Sequence, residues 1–203
     1  MTQTILQPAL SPTASPEGGR PRVVVFGGAS ALWTPVNVAR LAASRSMRNS
    51  DIVLYDLRYD RAQRMAELCE SMLKRHLDGP GPTVTAAETL PEALRGAYAV
   101  VSVYCVGGQS SEAKLNAIAE SFGSKQICYT AGPAAMLYIA LQSPPMIELV
   151  QAMREHAPGA WLINCANPLP GLCMVASQAG MPTGQLLGFC GAIPWYRRGL
   201  ASF

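Results

Sequence analysis

The residues whose types and spacing could do chemistry are two glycine turns, an acid, an asparagine and a cysteine. Gly27-Gly28-Ala29-Ser30 follows the β-branched run Arg22–Phe26, RVVVF. Glycine directly after a buried strand permits a tight turn. A helix starting close behind turns free N–H groups and the positive end of its dipole toward one point, which suits a phosphate. Asp56 closes a second apolar run, DIVLYD, 29 positions after Gly27. That is somewhat beyond the roughly 20 residues usual for an acid that binds ribose hydroxyls; a long first helix and the polar loop 45–50 absorb the difference. A competing role for Asp56 is the N-cap of the helix that follows. Val106-Gly107-Gly108 is a second glycine turn after AYAVVSV, Asn167-Pro168 follows WLINC, and Cys190 follows LLGF. The first turn departs from the fingerprint G-x-G-x-x-G, with Ala29 and Leu32 at the second and third glycine positions. Ala29 puts a methyl group where a pyrophosphate comes closest. Alone, so partial a fingerprint fits a ligand-free turn as well as a nucleotide site. All these places fall at the carboxyl ends of apolar runs, where open parallel sheets bind ligands, and that convergence carries more than any one motif.

The elements that must position these residues alternate. Strands are predicted at 22–26, 51–56, 83–86, 97–103, 161–165 and 186–190, with a further short one at 126–130. Helices are predicted at 34–44, 59–77, 90–95, 110–122, 132–156 with a break near Pro144-Pro145, and 169–179. Strand–helix alternation implies an α/β fold, a doubly wound and mainly parallel sheet of Rossmann type with right-handed crossovers. The unbroken apolar strand Val23–Phe26 belongs near its centre.

A length of 203 residues, 49% hydrophobic and 14% charged, suits one well-buried α/β domain. Residues 1–20, rich in Pro, Ser, Thr and Gly, read as a disordered leader. A net charge of +3 with no dense basic block argues against a nucleic-acid partner. No apolar run approaches the roughly 20 residues of a membrane span, and the start lacks a secretory layout. Cysteines at 69, 105, 128, 165, 173 and 190 form no C-x-x-C pair and read as reduced core residues of a cytoplasmic protein. His76 and His156 sit near predicted helix C-termini and read as structural. Two blander readings stand beside the chemical ones. Cys190 is a buried thiol at a strand end, since one cysteine cannot make a metal site. Asn167 is the N-cap before Pro168 at the first helical position.

In their order, VVVFGGASALWTP, DIVLYDL, VSVYCVGG, QICYTAGPA, APGAWLINCANP and LLGFCG resemble the NAD-dependent family 4 glycoside hydrolases, a branch of the lactate and malate dehydrogenase superfamily. The resemblance covers roughly residues 22–191, and PGAWLINCANP is its most specific stretch. It implies NAD as hydride acceptor from C3 of a sugar, a base that removes the acidified C2 proton, and departure of the glycosidic oxygen. It also implies a divalent metal, usually manganese, on the 2- and 3-oxygens. This family is an exception to the two-carboxylate mechanism. The resemblance makes Gly27, Gly28, Ala29, Ser30, Asp56, Val106 and Gly107 cofactor-binding residues, Asn167 a substrate contact and Cys190 a metal ligand. The expected partner is a small-molecule glycoside or 6-phosphoglycoside, and the expected assembly a homo-oligomer.

This sequence departs from the family's pattern in several places. Cys105 stands where an arginine is frequent, Ala134-Ala135 where glycines are usual, Gln142 where an arginine is expected, and Gly191 where a His or Asp is common. The family's second metal ligand, a histidine, and its tyrosine base lie downstream of the cysteine motif, and Tyr196 is too near Cys190 to be that base. No catalytic residue is therefore assigned. Residues 21–191 would be the NAD-binding domain, and 192–203 the start of a missing or truncated C-terminal domain. Three readings follow: the NAD-binding part of such a glycosidase, inactive in this truncated form; a dinucleotide-binding module without catalysis; or a dehydrogenase of the same superfamily. Against the last, no histidine is placed to accept the proton of a 2-hydroxy acid. Asp56 further predicts NAD over NADP, with Arg58 working in the opposite direction.

Overall fold

A computed structural model of the chain describes residues 19–125, 130 and 132–190. Six strands, β1 (Arg22–Phe26), β2 (Asp51–Tyr55), β3 (Thr83–Ala86), β4 (Ala97–Ser102), β5 (Trp161–Asn164) and β6 (Leu186–Gly188), form one sheet in the order β3-β2-β1-β4-β5-β6. Every neighbouring pair is parallel. Val23 lies between Ile52 on one side and Ala99 on the other, so β1 is interior, as its unbroken apolar run predicts. The strand order reverses direction between β1 and β4, which is the topology of a doubly wound, Rossmann-like sheet and the place where such sheets bind ligands. The alternating TVTA of β3 holds an edge.

Helices α1 (Trp33–Ala43), α2 (Tyr59–His76), α3 (Leu90–Leu94), α4 (Gly108–Ser121), α5 (Gly132–His156) and α6 (Leu169–Gln178) connect the strands. Because side chains alternate along a strand, β1 feeds two cores. Val23 and Val25 pack with Ile52, Leu54, Val38 of α1 and Ala62, Ala66, Cys69 and Leu73 of α2. Val24 and Phe26 pack on the other face with Leu94, with Met146, Leu149 and Met153 of α5, and with Leu172 of α6. The spacing 62-66-69-73 is the apolar stripe of an amphipathic helix, and Lys74, Arg75 and His76 close α2 where its dipole favours cations.

Two expectations are corrected here. The helix from 132 to 156 is continuous through Pro144 and Pro145. The prolines remove two N–H donors, but the turns on either side are anchored, by buried Tyr138 and Gln142 before them and by Met146, Leu149 and Val150 after them. Among the described cysteines only Cys69 is buried, while Cys105 and Cys190 are exposed and Cys165 and Cys173 half-buried. Apolar neighbours do not make a residue core where the chain is leaving the sheet. Burial holds the Cys69 thiol up at about 11. The expected strand at 126–130 falls on residues 126–129, outside the described residues, and Thr130 is in a turn. Residues 1–18 of the expected leader 1–20, and everything from Gly191 onward, are likewise outside. No helix among the described residues is long and apolar enough to cross a membrane.

Candidate functional site

The first glycine turn is shaped by close packing. Gly27 has φ +89°, and a Cβ there would stand 2.7 Å from backbone atoms of Tyr104. A Cβ on Gly28 would stand 2.7 Å from that of Leu54. The turn is therefore wedged between β2 and the loop after β4, and only glycine fits at either position. Its N–H groups are largely spent inside the protein. Those of Gly27 and Gly28 both donate to the Tyr55 carbonyl at 2.9 Å, and that of Ser30 donates to the Gly27 carbonyl at 3.1 Å. The N–H of Ala29 donates to Oδ2 of Asp56 at 3.2 Å. Between Gly27 and Thr34, the N–H groups with no protein acceptor are those of Ala31 and Leu32 at the start of α1.

Beyond this turn, at the carboxyl ends of β1, β2 and β4, lies a cavity of about 500 Å³, within the roughly 300–1,000 Å³ usual for small-molecule sites. Gly27, Ala29, Ser30, Asp56, Val106 and Gly107 line it together with Phe26, Tyr55, Tyr104, Arg58, Arg61 and Glu148. Phe26 stacks on Tyr55 with ring centroids 5.7 Å apart and meets Tyr104 edge-on at 5.4 Å, giving the cavity an aromatic wall. Burial, then the negative charges of Glu148 and Asp56, push the Tyr55 phenol above its ordinary value, so it stays neutral. The aromatic residues were invisible as site residues in the sequence because they read as strand core.

Asp56 is not the cap of α2. That helix begins at Tyr59 with Arg58 as its N-cap, and the Arg58 N–H donates to Asp56 Oδ1 at 3.0 Å. The carboxylate thus ties the glycine turn to the loop after β2 through one oxygen each. Each carboxylate oxygen accepts two hydrogen bonds, so acceptor capacity remains toward the cavity.

The second turn is held by α5. Val106 N–H donates to Gln142 Oε1 at 2.8 Å, and Gln142 Nε2 donates to the Val106 carbonyl at 3.1 Å. Tyr104 Oη donates to the Gln142 carbonyl at 2.6 Å, and Cys105 Sγ lies 2.9 Å from Tyr138 Oη. Burial raises both phenols, that of Tyr138 further through Cys105. Gly107, at φ +74°, is the N-cap of α4.

The remaining candidates lie apart. Gly28 is turned under Leu54, and Asn167 and Cys190 do not line the cavity. Asn167 does not cap α6, which begins at Leu169, as predicted, with Pro168 as its N-cap. Cys190 is exposed, against the reading of a buried thiol. Among the described residues no three His, Cys, Asp or Glu side chains gather so as to hold a metal ion. A polar residue that sequence reasoning missed is Asn164, fully buried at the end of β5. Its Oδ1 accepts from Ser102 Oγ at 2.7 Å and from the Ala166 N–H at 3.1 Å, locking β5 to β4; a lone polar residue inside WLINC was the one signal.

Residues 22–201 match the sequence model of the family described as Family 4 glycosyl hydrolase. An alpha-galacturonidase of Thermoanaerobacterium saccharolyticum is 29% identical over 171 residues, which is 83% of this chain and 36% of that protein. The chain thus spans little more than a third of the curated relative. The crystal structure of a 6-phospho-beta glucosidase from Thermotoga maritima with manganese, NAD+ and glucose-6-phosphate superposes with a TM-score of 0.76 at 21% identity, covering 90% of this chain and 42% of that one. A 6-phospho-alpha-glucosidase from gut microorganisms in complex with NAD and glucose-6-phosphate superposes at 0.77 with 22% identity, covering 91% and 42%.

Proposed function

The chain belongs to the family 4 glycosyl hydrolases, and from that premise we propose that its residues 21–191 bind NAD as the cofactor-holding part of a glycosidase acting on glycosides or 6-phosphoglycosides. The observation that carries the reading is the cavity at the switch point of the sheet, which gathers the glycine turn, Asp56 and the second turn around an aromatic wall. Bound there, NAD supplies a hydride acceptor. The chain's own residues bind and orient it. The aromatic wall of Phe26, Tyr55 and Tyr104 offers apolar surface to a base. Asp56 accepts from ribose hydroxyls and repels a 2′-phosphate, which favours NAD over NADP. The N–H groups of Ala31 and Leu32 and the dipole of α1 favour a phosphate. No step is assigned to manganese, for which the described residues bring no ligand group together. The loss of polar groups at Cys105, Gln142 and Gly191 relative to the family's pattern favours, as a second reading, a dinucleotide-binding module without catalysis.

Calorimetric titration of the chain with NAD and NADP tests the proposal. Saturable NAD binding, tighter than NADP, is expected. No binding of either nucleotide would overturn it, and tighter NADP binding would show that Arg58 and Arg61, not Asp56, dominate the ribose end.

A further inference from the structure

We infer that Gln142 is a positioning residue for the dinucleotide, pairing with both polar backbone groups of Val106 and so fixing the cavity wall formed by residues 104–107. The inference rests on the NAD-binding reading and adds a residue that does not itself line the cavity. Gln142 is fully buried. A buried amide is costly unless each of its polar atoms finds a partner. Here both do, and on one residue: Oε1 accepts from the Val106 N–H at 2.8 Å and Nε2 donates to the Val106 carbonyl at 3.1 Å. The backbone of Gln142 adds a third tie by accepting from Tyr104 Oη at 2.6 Å.

From the start of α4, Ser111 Oγ also donates to the Val106 carbonyl at 2.9 Å and Ser110 Oγ to that of Gly107 at 2.8 Å, so the tie that Gln142 alone supplies is the one to the Val106 N–H. The loop's backbone bonds are Val103 N–H to the Phe26 carbonyl at 2.9 Å, Gly108 N–H to the Cys105 carbonyl at 3.3 Å and Ser111 N–H to the Gly107 carbonyl at 3.4 Å. One turn before Gln142, Tyr138 meets Cys105 at 2.9 Å. Later on the same helix, Pro145 and Glu148 themselves line the cavity. Helix α5 therefore carries one wall directly and holds a second through Gln142. Because its N–H is already taken, Val106 offers a ligand its placement and its surface.

The test combines amide exchange with NAD titration on the unaltered chain, Gln142→Met and Gln142→Glu. In the unaltered chain the Val106 amide is expected to exchange slowly although it lies in a loop. Gln142→Met removes both side-chain bonds at similar length. It is expected to speed exchange across residues 104–107, leave that of β1 and β2 unchanged, and weaken NAD about tenfold or more when titrated well below the melting temperature. Gln142→Glu keeps an acceptor for the Val106 N–H and is expected to fall between the two; it carries the test if the Met variant does not fold. A Val106 amide that exchanges like an open loop overturns the inference. So does an unchanged NAD affinity in a folded variant, or an exchange increase spread equally over β1 and β2. If the unaltered chain takes no NAD, the dinucleotide reading falls and this inference with it; tight NAD binding by all three chains overturns the inference alone.

Discussion

At the scale of single residues, Asp56 and the glycines of the first turn have separable jobs. Asp56 ties the turn to the loop after β2 and keeps acceptor capacity for a ribose. Asp56→Asn removes the negative charge while keeping the size of the side chain. NAD is expected to weaken by roughly three- to tenfold, on the scale of one charge-assisted hydrogen bond, and the preference over NADP to shrink; paired calorimetric titrations read both. Gly27→Ala forces a side chain into the left-handed region and against the Tyr104 backbone at 2.7 Å. The cost should be about 2–4 kcal/mol in urea unfolding, the sum of backbone strain and overpacking. Gly96, at φ +73° with nothing within 4 Å, isolates the backbone share, about 1–2 kcal/mol for the same change. The need for glycine at 27 was legible because a strand that ends in two glycines has few other uses. The role of Gln142 was not, since its partner is backbone 36 residues away and backbone groups leave no mark in a sequence.

At the scale of elements, strands were more legible than helix interruptions. The β-branched runs fixed β1, β2 and β4 to within a residue or two, because both faces of an interior parallel strand must be apolar. The break expected at Pro144-Pro145 does not occur, since proline's local preference is outweighed by packing on both sides. The start of β2 offers an electrostatic test. Asp51 Oδ1 accepts from Arg20 Nε at 2.7 Å and from Thr83 Oγ1 at 2.8 Å, joining β2 to β3 and to the chain before β1. Partial burial pushes its carboxyl up, but the hydrogen bonds from Thr83 and Arg20 and the charges of Arg20 and Arg22 outweigh this and hold it below its ordinary value. A carboxyl lowered in the folded state stabilises at neutral pH and loses that contribution as pH falls through the lowered value. Asp51→Asn should therefore cost less than about 1 kcal/mol at pH 7, the pair being substantially exposed and screened. The difference from the unaltered chain should begin to narrow below about pH 4, where the ordinary carboxyl protonates, and close as pH falls through the lowered value; melting curves stepped downward from pH 7 decide it.

At the scale of the whole molecule, a ligand that binds only the folded chain must stabilise it. NAD at a hundred times its dissociation constant should add about 2.7 kcal/mol, a rise of roughly 5–10 °C in melting temperature for a domain of this size. A thermal scan with NAD and NADP side by side checks it. The strand order has a further consequence, for synthesis. β1 emerges first, yet its two neighbours are β2, at residues 51–55, and β4, at residues 97–102. At about 5–20 residues per second, the valine run waits several seconds with its second edge uncovered. During that interval it is a short, uncharged, β-branched segment of the kind that recruits other chains. The yield of folded protein should therefore depend on how fast the stretch between β2 and β4 is translated.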